Sequence, residues 1–300
     1  MIAAIALAVA APTTPAELPD GMRTMIDAAY RTGDDKTIAA VVGVAKASYP
    51  DLSDQIDKVV KIDQEALAAT RKAEQERQQE RIAEARFLEI WKGELEAGAS
   101  RSTGSTRTLG LYAAATLTRD GIRWRQKVNA RIDYQQTDNV TTTERLVAAW
   151  QPQYKLSPQL YAFGLGQYER DRFLGYYNRE TFGTGLGYSP LLGKEIEIDL
   201  QGGPAIRQTD FTDGESRTSL AGRGSVSIKW AVTPTLSFGQ DGAVFLETGD
   251  TTASATTSLD TKLIGALKGR LSYNIQYERD TAMGQGHLDT ISRATLVYSF

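Results

Sequence analysis

The chain closes on Thr290-Ile291-Ser292-Arg293-Ala294-Thr295-Leu296-Val297-Tyr298-Ser299-Phe300. Counted back by twos, Phe300, Tyr298, Leu296 and Ala294 fall on one face, and Ser299, Val297, Thr295 and Arg293 on the other. A period of two is the mark of a half-buried strand, because successive side chains point to opposite faces. One such strand would fit any sheet. The same rhythm recurs back to about Trp91, and that changes what the last strand is for.

Before it, Leu271, Tyr273, Ile275 and Tyr277 alternate with Ser272, Asn274, Gln276 and Glu278. Ile196, Ile198 and Leu200 oppose Glu195, Glu197 and Asp199. Gly183, Gly185 and Gly187 share one register, and Tyr161, Phe163 and Leu165 share one side of the preceding strand. The clearest case sets Trp124, Val128, Ala130, Ile132 and Tyr134, interrupted by Gln126, against Arg123, Arg125, Lys127, Asn129, Arg131 and Asp133. Polar and glycine-bearing stretches such as Arg119-Asp120-Gly121 separate these runs as turns.

The pattern yields about twelve strands of roughly 9–13 residues, where a tilted spanning strand needs roughly 9–11 and bacterial barrels have even counts. Connections after odd strands, such as Gln135–Thr142, Arg170–Glu180 and Asp210–Arg217, read as longer and more polar than those after even strands. Both barrel ends then lie on the short-turn, periplasmic side. The expected fold is all-β: a transmembrane antiparallel up-and-down barrel over 90–300, preceded by an α-helical periplasmic region over 18–89.

Composition agrees. A net charge of -3 and a pI near 5.5, with no basic tail, give no footprint for nucleic acid. Cysteine is absent and His287 is the lone histidine, which removes thiolate chemistry and multi-histidine metal clusters. No metal, cofactor or catalytic residue is expected. A mean hydropathy of -0.34 argues against spanning helices but not against a barrel, in which alternate residues avoid lipid.

Met1–Ala11 reads as the apolar core of a secretory signal, with small residues at Ala8 and Ala10 but no basic start, so 1–17 is the expected signal segment. Met22, Met25, Ile26, Ala29 and Tyr30 fall at helical spacing. Gly33-Asp34-Asp35 breaks the pattern, and Ile38, Val41, Val42 and Val44 resume it before Tyr49-Pro50. Asp51–Glu89 reads as one long helix with a thin apolar stripe. Its alternating charges suit a solvated face, with a periplasmic partner as the second reading.

Two groups of charges stand out. In a closed barrel Arg123, Arg125, Lys127 and Arg131 share the lumen with Glu195, Glu197 and Asp199, so the two sets are expected to pair there, directly or through intervening residues. The second is a repeated motif, Tyr168-Glu169-Arg170-Asp171 and Tyr277-Glu278-Arg279-Asp280, each where a strand meets an outer loop. Its tyrosines suit an aromatic belt and its charges suit pairing at the rim; ion or lipid-headgroup contact is the alternative. Asp210, Asp213, Glu215, Glu247 and Asp250 offer weak contact to divalent cations, without calcium-loop spacing.

The region from about Trp91 to Phe300 resembles the DUF481 family of salt-induced outer membrane proteins of Gram-negative bacteria. The resemblance is carried by Gly166-Gln167-Tyr168-Glu169-Arg170-Asp171-Arg172-Phe173, by Thr184-Gly185-Leu186-Gly187-Tyr188 and by Leu296-Val297-Tyr298-Ser299-Phe300. The family's first-loop pattern is looser here, at Gly98–Ser105. The resemblance implies an outer membrane barrel and brings no ligand or reaction. Tyr298 and Phe300 also look like the terminal aromatic signal read by the barrel-assembly machinery, which with outer membrane lipids completes the expected partners. The function expected first is a structural or envelope-stress role. A narrow channel for ions or small solutes is second. An outer membrane phospholipase or esterase is third: it needs a serine beside His287, and no strand carries such a pair.

Overall fold

The computed structural model describes residues 18–87, 89–102, 107–193, 195–247, 250–280 and 285–300. The expected signal segment 1–17 and part of the Gly98–Ser105 loop lie outside them. The chain divides into two compact units, Met1–Glu84 and Ala85–Phe300.

The first unit is helical: α1 is Asp20–Thr32, α2 is Asp35–Ser48 and α3 is Ser53–Glu84. Gly33 closes α1 in the left-handed region, at a φ of 65° that glycine adopts without strain. Asp34 then caps α2, its carboxylate accepting from the Thr37 amide at 2.9 Å and the Thr37 hydroxyl at 2.5 Å. Ile26, Ala29, Ala45 and Ile56 fill the core where the three helices meet. Beyond Leu67, α3 carries mostly exposed polar side chains, as its sequence anticipates.

The second unit is a closed antiparallel barrel of twelve strands among the described residues. They are β1 Trp91–Ser102, β2 Thr108–Asp120, β3 Trp124–Thr137, β4 Val140–Lys155, β5 Leu160–Asp171 and β6 Tyr176–Tyr188. Then follow β7 Ile196–Phe211, β8 Ser216–Ala231, β9 Leu236–Glu247, β10 Asp250–Ile264, β11 Leu267–Asp280 and β12 Gln285–Ser299. Each pairs with its sequence neighbours, and β12 returns to β1, matching Leu95 with Tyr298 and Ala97 with Leu296. Gly93 and Phe300 exchange backbone hydrogen bonds of 2.9 and 3.0 Å below that register.

Large apolar side chains cover the outside. Leu220 is 71% exposed, Phe182 63% and Leu271 59%, and similar residues ring the wall. A soluble sandwich would hide these faces; here they form the lipid-facing surface of a spanning barrel. No helix among the described residues is long and apolar enough to cross a membrane. Polar residues on that face are tied down locally. Gln126, which interrupts the apolar side of β3, accepts from the Trp150 indole at 2.8 Å.

The strands run further than hydropathy suggests. The stretch Gln135–Thr142 contracts to a two-residue turn, with Asp138 and Asn139 at φ of 49° and 63°. Both residue types tolerate that region, and the turn suits the twist of a hairpin. Much of Arg170–Glu180 and Asp210–Arg217 is likewise strand. The expected asymmetry in loop length therefore does not hold: the link from Tyr188 to Ile196, at the other end, is longer than that from Thr137 to Val140 or from Phe211 to Ser216. At the outer end both faces of a strand are polar, so alternation stops before the hydrogen-bond ladder does.

One strand is turned over relative to the others. Tyr161, Phe163 and Leu165 of β5 point into the lumen, where they are buried with Ala149 of β4 beside them. Their direct partners on β6 are Gly187, Gly185 and Gly183. The glycines leave no side chains in the lumen, and the two rings and the leucine occupy that space. A Cβ at Gly185 would meet Phe163 at 2.9 Å. The glycine row thus permits a plug rather than a gap.

Candidate functional site

The lumen is the candidate site, and its lining follows from strand parity. Most inward positions carry a polar, charged or small side chain; the β5 plug and Phe245 of β9 are bulky apolar exceptions among the described residues.

Near the end that holds Trp91 and Phe300, two clusters form. On one wall Lys127 reaches from β3 to Asp199 on β7 at 3.1 Å. The Tyr161 hydroxyl donates to Asp199, Gln201 donates to Tyr161 at 2.9 Å, and Gln151 donates to Gln201 at 2.6 Å. On the other wall Arg270 binds Asp260 at 2.6 Å, Glu96 at 2.9 Å and Glu94 at 3.1 Å, while Lys268 binds Glu94 at 2.8 Å. Water reaches part of these clusters: the Glu94 side chain is 32% exposed, Lys268 29% and Lys127 28%, while Asp260 is 14% and Glu96 8% exposed.

Towards the other end the lumen is crossed. Arg179 of β6 binds Glu278 of β11 at 2.8 Å, and Arg145 of β4 donates to Gln276 of β11. Arg145 also lies 3.6 Å from Glu169. Arg293 of β12 binds Asp133 of β3 and stacks over Tyr112 at 4.6 Å. Arg207 of β7 binds Glu247 of β9 at 2.6 Å, donates to Thr252 at 3.1 Å and stacks over Phe245 at 4.1 Å. The Arg207 and Glu247 side chains are only 2% and 6% exposed. Charges this dry persist only when paired and hydrogen-bonded, and these are.

The expected pairing of β3 with β7 is met by one residue pair. Lys127 crosses to Asp199, but Arg125 turns to Asp120 at 3.1 Å and Arg131 to Asp133 on its own strand at 2.9 Å. Arg123 lies in the turn before β3, exposed, and Glu195 in the turn before β7. Glu197 faces Lys229 across the β7–β8 ladder. The stagger of strands around a tilted barrel brings a side chain level with different partners than sequence alignment suggests.

The repeated motif behaves as a lumen element as much as a rim element. Tyr168, Arg170, Tyr277 and Arg279 face outward, and the Tyr168 hydroxyl donates to Asn178 at 2.7 Å. Glu169 and Glu278 face inward from β5 and β11, which lie on opposite walls, into the layer that Arg145 and Arg179 bridge. Asp171 accepts from the Phe173 and Leu174 amides at 3.1 Å each and shapes the outer turn. The side chains of Asp280, Asp250 and His287 lie outside the described residues.

Arg145, Arg179 and Arg207 were not singled out by sequence, and Glu247 was read as a loop carboxylate for weak cation contact, whereas it lies at the end of β9 and binds Arg207. Arg145 and Glu247 sit at inward positions of strands whose polar register shows little else charged, Arg207 continues the inward register of Glu197 and Asp199 on β7, and Arg179 lies in a stretch that reads as loop. Among the described residues no group of three or more His, Asp or Glu is placed to hold a metal ion.

A closed, lipid-faced barrel with a charged lumen defines an integral outer membrane β-barrel protein. Its even strand number puts both barrel ends on one side, with the N-terminal helical region in the periplasm. The chain belongs to the DUF481 family, described as a protein family of unknown function, whose model matches residues 95–300. It is 25% identical over 210 residues to the uncharacterized protein YdiY of Escherichia coli (strain K12), covering 70% of this chain and 83% of that protein. Among solved structures it resembles the NanC porin, with a TM-score of 0.43 and 10% identity over 69% of this chain and 98% of that one. It also resembles the COG4313 outer membrane channel from Pseudomonas putida F1, with a TM-score of 0.45 and 10% identity over 72% and 100%.

Proposed function

We propose that the barrel is a narrow passage for ions or small polar solutes, closed in this conformation at its outer layer. The observation that supports this is the gradient of water access along one charged lumen. In the periplasmic half the Glu94, Lys268 and Lys127 side chains are 32%, 29% and 28% exposed, and their partners Arg270, Asp199, Asp260 and Glu96 19%, 17%, 14% and 8%, whereas Arg207 and Glu247 are 2% and 6%. A barrel serving only as a wall gains little from ionic filling, because well-packed apolar residues are often as stabilising or more so, by about 1–4 kcal/mol. A charged lumen, wet from one side and bridged by a few side chains at the other, suits regulated passage. Arg145, Arg179, Glu169 and Glu278 form the closing layer, and Lys127, Asp199, Glu94 and Arg270 line the vestibule below it. We further infer that Tyr298 and Phe300 are read by the barrel-assembly machinery, and that residues 1–17 direct export.

Single-channel recording in planar bilayers tests the passage. The wild-type protein is expected to give brief, small conductance steps. Arg179→Ala, which releases β6 from β11 across the lumen, is expected to lengthen the open periods. Silence from both proteins, with insertion verified by protease protection, would sink the passage and leave the structural role.

A further inference from the structure

We infer that the outer rim over β5–β8 holds a binding site for the phosphorylated sugar headgroup of an outer-leaflet glycolipid.

Three rows of outward-facing residues fix the height of this site. Phe182, Ile206 and Leu220 are directly paired across β6, β7 and β8, and all three are more than half exposed. Two residues further along each strand, the next row is Glu180, Gln208 and Thr218. The row after that is Asn178, Asp210 and Ser216. Strands rise roughly 3.3 Å per residue, so the hydrocarbon boundary falls within about 7 Å between the first two rows. Everything above it on this wall stands at headgroup height.

A cavity of about 650 Å³ opens at that height. Arg170, Tyr177, Asn178, Asp210, Phe211 and Glu215 are among the residues that line it. Two further guanidinium groups stack on its aromatic lining: Arg172 lies 5.2 Å from the Tyr177 ring and Arg217 lies 5.2 Å from the Phe211 ring. Arginine forks match phosphate oxygens in pairs, which a lysine or an amide does not. Asp210 is held by the Ser216 hydroxyl at 2.7 Å, and its remaining oxygen, with Glu215, can accept from sugar hydroxyls. Tyr177 is 40% exposed at the outer end of β6, where its ring and hydroxyl suit the polar headgroup layer.

Both signs of charge beside aromatic rings fit a sugar phosphate better than a simple anion, which Asp210, Asp213 and Glu215 would repel. The lipid source is favoured over a soluble one because the cavity opens on the lipid-facing wall, two rows or about 13 Å beyond the acyl-contacting row, where the headgroup of a lipid packed against that row stands.

The test is binding of bisphosphorylated lipid A to the full chain in detergent, followed by native mass spectrometry. The wild type is expected to retain lipid A in preference to phosphatidylglycerol. Arg170→Ala with Arg172→Ala is expected to weaken retention at least about tenfold, since one charge-assisted hydrogen bond alone accounts for that factor and two guanidinium groups are removed. Arg279→Ala, which removes an outward-facing arginine from the opposite wall, is expected to leave retention unchanged. Unaltered heat-modifiable migration shows that the variants fold. Equal retention of lipid A and phosphatidylglycerol, of dephosphorylated and bisphosphorylated lipid A, or by the double variant and the wild type would each overturn the site. So would a loss at Arg279→Ala as large as at the double variant.

Discussion

The ring of Tyr161 on β5 occupies the space that a side chain on Gly187 of β6 would need. The two residues are direct ladder partners, and the hydroxyl of that ring holds Asp199 and receives Gln201. Gly187→Ala therefore has to displace the ring and loosen the Lys127–Asp199 crossing with it. Overpacking of this kind costs about 1–3 kcal/mol. The expected result is a lower unfolding midpoint in denaturant. Tyr161→Ala combined with Gly187→Ala should be less destabilised than the sum of the two single variants. Additive losses would show that the ring does not depend on the glycine.

The sealed Arg207–Glu247 pair yields the largest single-residue effect. Arg207→Ala leaves Glu247 buried and uncompensated, at a cost of about 3–5 kcal/mol. Arg207→Met with Glu247→Leu removes both charges and should recover most of that loss. Denaturant unfolding in detergent micelles measures both. A single variant as stable as the wild type would contradict the burial of the pair.

Phe300 stacks on Tyr298 with ring centroids 6.3 Å apart, and its backbone is bonded to Gly93. Deleting Phe300 should reduce the folded, outer-membrane fraction in cells several-fold, whereas Phe300→Tyr keeps the aromatic and should not. Heat-modifiable migration of the membrane fraction reads this. Unchanged insertion after the deletion would show that the terminal aromatic is not an assembly signal.

The helical unit carries a pH signature. The Thr37 hydroxyl, and then its amide, donate to Asp34 and hold its carboxyl below the usual aspartate range. A carboxyl depressed in the folded state stabilises above its unfolded value and loses that contribution as pH falls through the folded one. Exchange protection of Asp35–Ser48 is thus expected to be constant near neutral pH and to weaken below about pH 4. Asp34→Ala should lower protection at neutral pH and remove the pH dependence. A wild-type profile that stayed flat to pH 2 would exclude the cap as its source.

The barrel was legible in sequence because alternation states the strand and its two faces. It does not say which face is inside. On β5 the apolar side, Tyr161, Phe163 and Leu165, went inward because β6 offers glycines opposite each of them. The two rows would have declared themselves if Arg170–Glu180 had read as a tight hairpin. The charges of the lumen were legible as a set and illegible as pairs. Lys127 found Asp199, but Arg125 and Arg131 were taken by nearer carboxylates. The Glu169 and Glu278 motifs look alike in sequence, yet only barrel closure places them on opposite walls.

Among the described residues, the seam between β1 and β12 is the shortest joint in the wall. Its register spans four residue pairs, from Glu94 with Ser299 to Ala97 with Leu296, whereas β11 and β12 share fourteen. Glu94 and Glu96 of β1 nevertheless bind Lys268 and Arg270 from one strand further round, and Glu96 accepts from Thr295 of β12. The two carboxylates thus rivet a joint that the backbone only begins to zip. Under heat or load the cylinder should part there first and unroll as a sheet, so the ionic lining of the vestibule sets the mechanical limit of the whole wall.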